Sequence, residues 1–431
     1  MFEQTLIYKQ RKAFDSIVKG FFLFYLSGIP RIFNLYQIIL IPNTLEDILN
    51  MLIGLTGWYF VIKGWSVLSK YNRLPYKGIF RFVFSLYIII VAVMILRGYF
   101  IDYEYPWLHW QGAIYYHLFE PSWLLAYIMV LLCLIPVEAI NFNSFIKYAK
   151  YAAIIAVLLT LFGWRQIIQD SLQQALGFKL DEDSARYAGI YAFFVPFFFA
   201  CLCYPYAKKR DWQIALLGFL ASFFLVLINA RRSSSAIAAI VAVGIFLVWV
   251  KNKKKGVRFA GYIVGILFIG AMIYLLWRSS MLDYMMMRGL ENSRSGVDDA
   301  LRAQMSPLEK IFGKGLNGRY YFYLEQEADY RNGWRYSSET GFYTLVLRGG
   351  YLLAFTYITL LVYPALKGLF QSNNTLCKCL GFYILISVLD LFAFGPLSFN
   401  FEFLIIWIGI ALCLNKNVRQ MNNTQIKQQF F

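Results

Sequence analysis

The sequence predicts an all-α integral membrane protein of about 12 transmembrane helices, with both termini cytoplasmic and one long outward-facing loop between spans 9 and 10. Three observations predict it. The 431 residues are 59% hydrophobic and only 15% charged, with a mean hydropathy of +0.53. That balance cannot be arranged as a soluble globule of this length, because too little polar side chain remains to cover its surface. Apolar runs long enough to cross about 30 Å of hydrocarbon recur along the chain. Finally, basic clusters fall at alternate ends of those runs, as the bias of cytoplasmic loops toward Lys and Arg requires.

The spans read in order near 17–41, 45–62, 79–97, 122–140, 147–167 and 187–206, then near 212–229, 233–250, 258–278, 338–363, 376–394 and 398–415. Pro30 and Arg31 interrupt the first, so a kinked or broken helix and a straight one are both open there. Lys9 to Lys12, Lys63 to Lys77, Lys147 with Lys150, Lys208 to Arg210, Lys251 to Arg258, Lys367 with Lys378, and Lys416 with Arg419 all fall on one side. This organises the chain as a membrane domain over 1–278, an outward loop with short helices over 279–337, and a second membrane domain over 338–415. The Gln- and Asn-rich 416–431 reads as a disordered cytoplasmic tail. The net charge of +17 lies in short clusters between apolar runs, which argues for membrane topology and against nucleic acid.

The 40 Phe, 32 Tyr and 11 Trp suit lipid-facing and headgroup positions. The six cysteines sit in or beside apolar runs, two pairs spaced C-x-C, and read as buried thiols with neither a disulfide framework nor a metal site. His109 and His117, eight apart in an aromatic loop, lack the spacing of a helical zinc site and read as interfacial packing.

Chemistry is expected from arginine. Lysine dominates the inward clusters, whereas arginine dominates outside, with Arg97, Arg231, Arg232, Arg294, Arg302, Arg319 and Arg335 among the outward positions and Arg348 about two turns into its span. Guanidinium suits bidentate, partly desolvated phosphate recognition. Arg231 and Arg232 precede Ser233-Ser234-Ser235 at the start of an apolar helix, where free amides and the helix dipole add to an anion site. The alternative is a tight turn whose arginines snorkel to headgroups. Asp390 and Glu402 flank the turn at Gly395-Pro396, where a carboxylate could meet an arginine, a sugar hydroxyl or simply water.

These motifs resemble the O-antigen polymerase and O-antigen ligase family, membrane glycosyltransferases that use polyprenyl-pyrophosphate-linked glycans. Ala230 to Ser235 is similar to the family's Ser/Arg-rich outward turn. Arg294, Asp298-Asp299-Ala300-Leu301-Arg302 and Pro307-Leu308-Glu309-Lys310-Ile311-Phe312-Gly313-Lys314-Gly315 follow the order of its large loop. The next family helix opens with His-Asn and has a glycine about 11 residues later; counting back from Gly350 puts Glu339-Thr340 there. Glutamate in place of that histidine favours a polymerase over a ligase.

The resemblance implies a metal-independent transfer without cofactor at the periplasmic face of a bacterial cytoplasmic (inner) membrane. A lipid-linked oligosaccharide would be the donor, an acceptor glycan the nucleophile, and a chain-length regulator a further partner. Glu339 is the expected base and Arg294 a catalytic electrostatic group, with Arg231, Arg232, Arg294 and Arg302 on the pyrophosphate. Arg319, Arg348 and Asp390 are expected substrate contacts. For Glu339, a turn carboxylate stabilised by the helix dipole is the alternative role. The competing functions are a ligase acting on finished glycan, and a flippase of lipid-linked oligosaccharide, for which span count and inward termini also fit.

Overall fold

The structure, a computed structural model, describes residues 2–30, 41–71, 77–100, 122–175, 195–228, 232–251, 253, 256, 259, 295–322, 333–393 and 397–431. The span expected near 258–278, the histidine pair, and the expected site residues Arg231 and Arg294 lie outside the described residues. Arg232 is described only as the first backbone position of its helix. The chain is mostly helical and divides into two compact units, one of Met1–Tyr71, Pro136–Glu291 and Asn422–Phe431, the other of Asn72–Ile135 and Asn292–Met421.

In the first unit, α1 (Phe2–Ser27) lies against α2 (Asn43–Leu68) along a seam of small residues. A Cβ on Gly20 would stand 2.6 Å from the Gly57 carbonyl oxygen, and one on Gly64 would overlap the Ala13 carbonyl oxygen. Only glycine lets the backbones approach so closely, and close approach is how apolar helices gain dispersion contact in lipid. The other face of α2 exposes Leu45, Ile48, Leu52, Leu55, Tyr59 and Ile62, the apolar surface that a bilayer would cover. The unit continues with α5 (Phe142–Ala175), α6 (Val195–Leu202), α7 (Lys209–Ile228) and α8 (Arg232–Lys251).

The second unit holds α3 (Ile79–Phe100) and the short α4 (Leu124–Ile128). The loop elements follow: α9 (Ser295–Ala303), α10 (Pro307–Phe312), and the two-residue antiparallel ladder of β1 (Tyr320–Tyr321) and β2 (Trp334–Arg335). Next come α11 (Gly341–Phe370), α12 (Thr375–Ala393), α13 (Phe401–Leu414) and α14 (Lys416–Gln420). Helix α11 is central, packing against α3, α10, α12 and α13, with Trp407 and Tyr357 buried edge to face 5.8 Å apart.

Among the described residues, five helices are long and apolar enough to cross a membrane: α2, α3, α5, α11 and α12. The expected span near 122–140 is instead α4 followed by 3-10 turns at Met129–Leu134 and Val137–Ala139. Pro136, at the start of the second turn, supplies no backbone donor. The expected disorder of 416–431 is also corrected. Asn415 and Asn422 cap α14 and α15 (Asn423–Phe430), the second through a full capping box with Gln425. Ile426 and Phe430 are buried, Phe431 stacks on Tyr206 at 4.9 Å and on Phe142 at 5.5 Å, and Arg11 donates to the Gln429 carbonyl at 2.6 Å. A few well-placed anchors overcome the polar composition that suggested disorder. All six cysteines are buried free thiols.

Candidate functional site

The site is built where the loop elements meet the beginning of α11. Its foundation is a break in that helix: Gly350 has φ 70° and ψ −177°, a backbone region open in practice only to glycine. An unbroken helix would use the carbonyls of Leu347 and Arg348 for its own fourth-next amides. Here they accept from the loop instead, Lys314 N–H at 2.7 Å and Gly315 N–H at 3.0 Å. The fit is reciprocal. A Cβ on Gly350 would overlap the Ile311 carbonyl, and a Cβ on Gly313, with φ 74°, would overlap that of Arg348.

The same turn is fastened to the end of α3. Arg97 donates to the Gly313 carbonyl at 2.6 Å, Leu316 N–H to the Met94 carbonyl at 3.3 Å, and Asn317 Nδ2 to the Gly98 carbonyl at 2.7 Å. Helix α10 leads into the turn from a capping box in which Ser306 Oγ accepts from Glu309 N–H and Glu309 Oε2 accepts from Ser306 N–H at 2.8 Å. Partial burial raises the Glu309 pKa, but the two Ser306 hydrogen bonds and the charges of Lys314 and Arg97 outweigh it, and the carboxyl is held below its ordinary range.

Beside this latch, α9, β1 and β2 come together around the approach to α11 that carries Glu339. Thr340 is the N-cap of α11, accepting from Tyr343 N–H at 3.4 Å, so Glu339 stands one residue outside the helix and is not its capping group. Its Oε1 lies 4.0 Å from Arg335 Nη1, and 36% of its side chain is exposed. Thus the candidate base keeps an open face beside a cation. Ser338 Oγ donates to Asp298 Oδ1 at 2.5 Å, tying α9 to the approach to α11. Tyr320 is wholly buried, donates to the Ser337 carbonyl at 3.2 Å and accepts from Arg335. Burial pushes its phenol far above the usual range; Arg335 opposes the shift, while Asp298 and Glu339 add to it. The ladder puts Tyr320 opposite Arg335, and Gln304 clasps the Tyr321 backbone, donating to its carbonyl at 2.7 Å and accepting from its N–H at 2.8 Å.

The remaining expected residues fall in different settings. Arg302 is exposed, paired with Asp299 on its own helix, and 5.6 Å over the Tyr343 ring, close to the Glu339 cluster. Arg319 lies 4.5 Å over Trp334, on the far side of the ladder's register from Tyr320. Arg348 is 2% exposed and engaged within the protein: Nη1 donates to the Ser122 carbonyl at 3.0 Å and to Tyr127 Oη at 3.2 Å, with the guanidinium 4.4 Å over Trp123. Asp390 is half-buried on α12, where α11 and α12 meet through the stacked Phe342 and Phe392 rings at 4.9 Å. Sequence reasoning missed Arg335 as the partner of Glu339, and Asp298 and Tyr320 as the residues that hold Ser338 and Ser337 beside it. The alternation of two-residue strands is too short to signal a ladder, and nothing else in the sequence announces the Tyr320 and Arg335 pairing.

A mostly helical protein with several helices apolar enough to cross a membrane, and a folded loop latched to a broken helix, is the class that these features define. No family model matches the chain, and comparison with curated proteins and with solved structures finds no match.

Proposed function

We propose that the protein is a membrane glycosyltransferase that polymerises lipid-linked oligosaccharide repeat units of an O-antigen, capsule or related polysaccharide. In this reading it is a multi-pass protein of a bacterial cytoplasmic membrane with both termini inside, and 279–337 faces the periplasm. The observation that supports the reading best is the partly exposed Glu339 carboxylate, outside the cap of α11 and 4.0 Å from Arg335, next to Ser338, which the arginine-bearing α9 holds through Asp298.

Glu339 accepts the proton of an acceptor sugar hydroxyl as its oxygen attacks the donor's anomeric carbon. A new glycosidic bond forms, and the bond from that carbon to the pyrophosphate oxygen breaks with its electron pair. The leaving polyprenyl pyrophosphate is already a good anion, so the protein needs chiefly to hold its charge, the role proposed for Arg294 and Arg302 in the loop that leads to Glu339. Arg335, 4.0 Å from its Oε1, orients Glu339 toward the open side.

The test is turnover of a polyprenyl-pyrophosphate oligosaccharide by the purified protein, with products resolved by glycan length. A ladder of lengthening lipid-linked products is expected. A single transfer that needs a separate acceptor would make the protein a ligase, and lipid translocation without bond formation would make it a flippase; either result overturns the polymerase reading.

A further inference from the structure

The break at Gly350 divides α11 into Gly341–Gly349, which follows Glu339, and Tyr351–Phe370, which carries the long apolar stretch. Across a residue with φ 70°, the helical hydrogen-bond ladder no longer fixes the first segment to the second. Its orientation must come from outside contacts; the Leu347 carbonyl and the Phe342 ring make some of them, and Arg348 alone makes them on two sides. The Arg348 carbonyl accepts from Gly315 N–H at 3.0 Å, while its side chain reaches the Ser122 carbonyl, Tyr127 Oη and the Trp123 face. Tyr127 is itself anchored, since its carbonyl accepts from Tyr87 Oη of α3 at 3.2 Å.

Among the described residues, the partners of Arg348 are a carbonyl, a hydroxyl and two aromatic faces, with no carboxylate. Burying a guanidinium in such a place is costly. Plain packing of α11 against Trp123 and Tyr127 would be achieved more cheaply by Leu or Met. What the guanidinium adds is direction: a planar fork that meets a carbonyl and a hydroxyl from one nitrogen while an indole covers its face.

We infer that Arg348 is a positioning residue, which sets the angle of Gly341–Gly349 and thereby aims Glu339 without touching substrate. The inference rests on the proposed transfer reaction for its kinetic consequence, but its structural half stands apart. Misaiming a catalytic group by about 1 Å slows the chemical step by up to roughly 100-fold. Loss of a direct substrate contact would instead raise KM.

The experiment pairs kinetics with hydrogen exchange on wild type, Arg348→Lys and Tyr127→Phe. Lysine keeps the charge and loses the fork; phenylalanine keeps the ring and removes one acceptor, and serves if the first variant fails to fold. The expected result is a fall in kcat, on the order of 10- to 100-fold for Arg348→Lys and smaller for Tyr127→Phe, with KM for the lipid-linked donor unchanged. Exchange should rise over 341–349 and stay level over 351–370. A raised KM with intact kcat, or exchange rising evenly along α11, overturns the inference. If the wild type forms no glycosidic bond, the transfer reading fails, and exchange alone then decides: selective loosening of 341–349 upholds the positioning role, and its absence overturns it.

Discussion

Glycine brings two pairs of segments into close approach in this protein, by different means. Along the seam of α1 and α2, Gly20, Gly57 and Gly64 keep helical backbones, and each spares only the space a Cβ would take. At the latch between the loop and α11, Gly313 and Gly350 have positive φ as well as no room for a Cβ. The seam is apolar packing, reinforced by Ser16 Oγ donating to the Phe60 carbonyl at 2.9 Å and by Lys19 lying 3.9 Å over the Phe60 ring. The latch exchanges a helix's own hydrogen bonds for bonds to a loop, so it brings polar backbone, two arginines and the approach to Glu339 into one place. A seam can relax by letting its helices part. A latch cannot, because its strain would sit in the backbone itself.

The largest effect that separates the two is expected at Gly350→Ala. Both the backbone conformation and the overlap with Ile311 oppose it, for a loss of roughly 2–6 kcal/mol, read as lowered thermal stability in detergent with faster exchange over 313–318 and 341–349. Gly64→Ala should cost less, about 1–3 kcal/mol, because separation of the helices relieves it. Its exchange signature should stay within α1 and α2. If Gly64→Ala also loosened 313–318, the distinction between seam and latch would break.

Arg97→Ala removes a charged donor from the Gly313 carbonyl and should cost about 1.5–3 kcal/mol, with loosening confined to 306–318. The smallest effect is expected at the cap of α10, where Ser306→Ala should cost about 1 kcal/mol. Glu309, across the same box, has its pKa lowered in the fold. Its contribution is therefore full above the ordinary carboxylate value and lost as pH falls through the folded one. The difference in melting temperature between wild type and Glu309→Gln should close as pH drops below about 4.

Much of the helical skeleton was legible because length and apolarity suffice to mark a span. Helices α2, α3, α5, α11 and α12 stand where the apolar runs predicted crossings. What composition could not convey were ends and breaks. Helix α1 begins at Phe2, taking Lys9, Arg11 and Lys12 into its length, since only part of its surface is apolar. The tail folds because Asn415, Asn422, Ile426 and Phe430 occupy caps and buried positions, a matter of placement that Gln and Asn content hides.

Of the candidate site, the turn after Pro307 and the position of Glu339 at the approach to a span were both readable. The contacts that surround Glu339 were not. Asp298 meets Ser338 across 40 residues, and Arg348 meets Ser122 across 226, distances over which local pattern carries no information. Gly350 stood out by its spacing from Glu339, whereas its positive φ and its effect on the helix emerge only with the loop in contact.

The central claim is that Glu339 takes the proton in glycosyl transfer. It is tested most directly by single-turnover reaction of Glu339→Gln with excess lipid-linked donor, following formation of the glycosidic bond. The expected result is a loss on the order of 100-fold or more in the rate of bond formation, with donor binding intact. Bond formation at the wild-type rate in that variant would contradict it and move the base elsewhere.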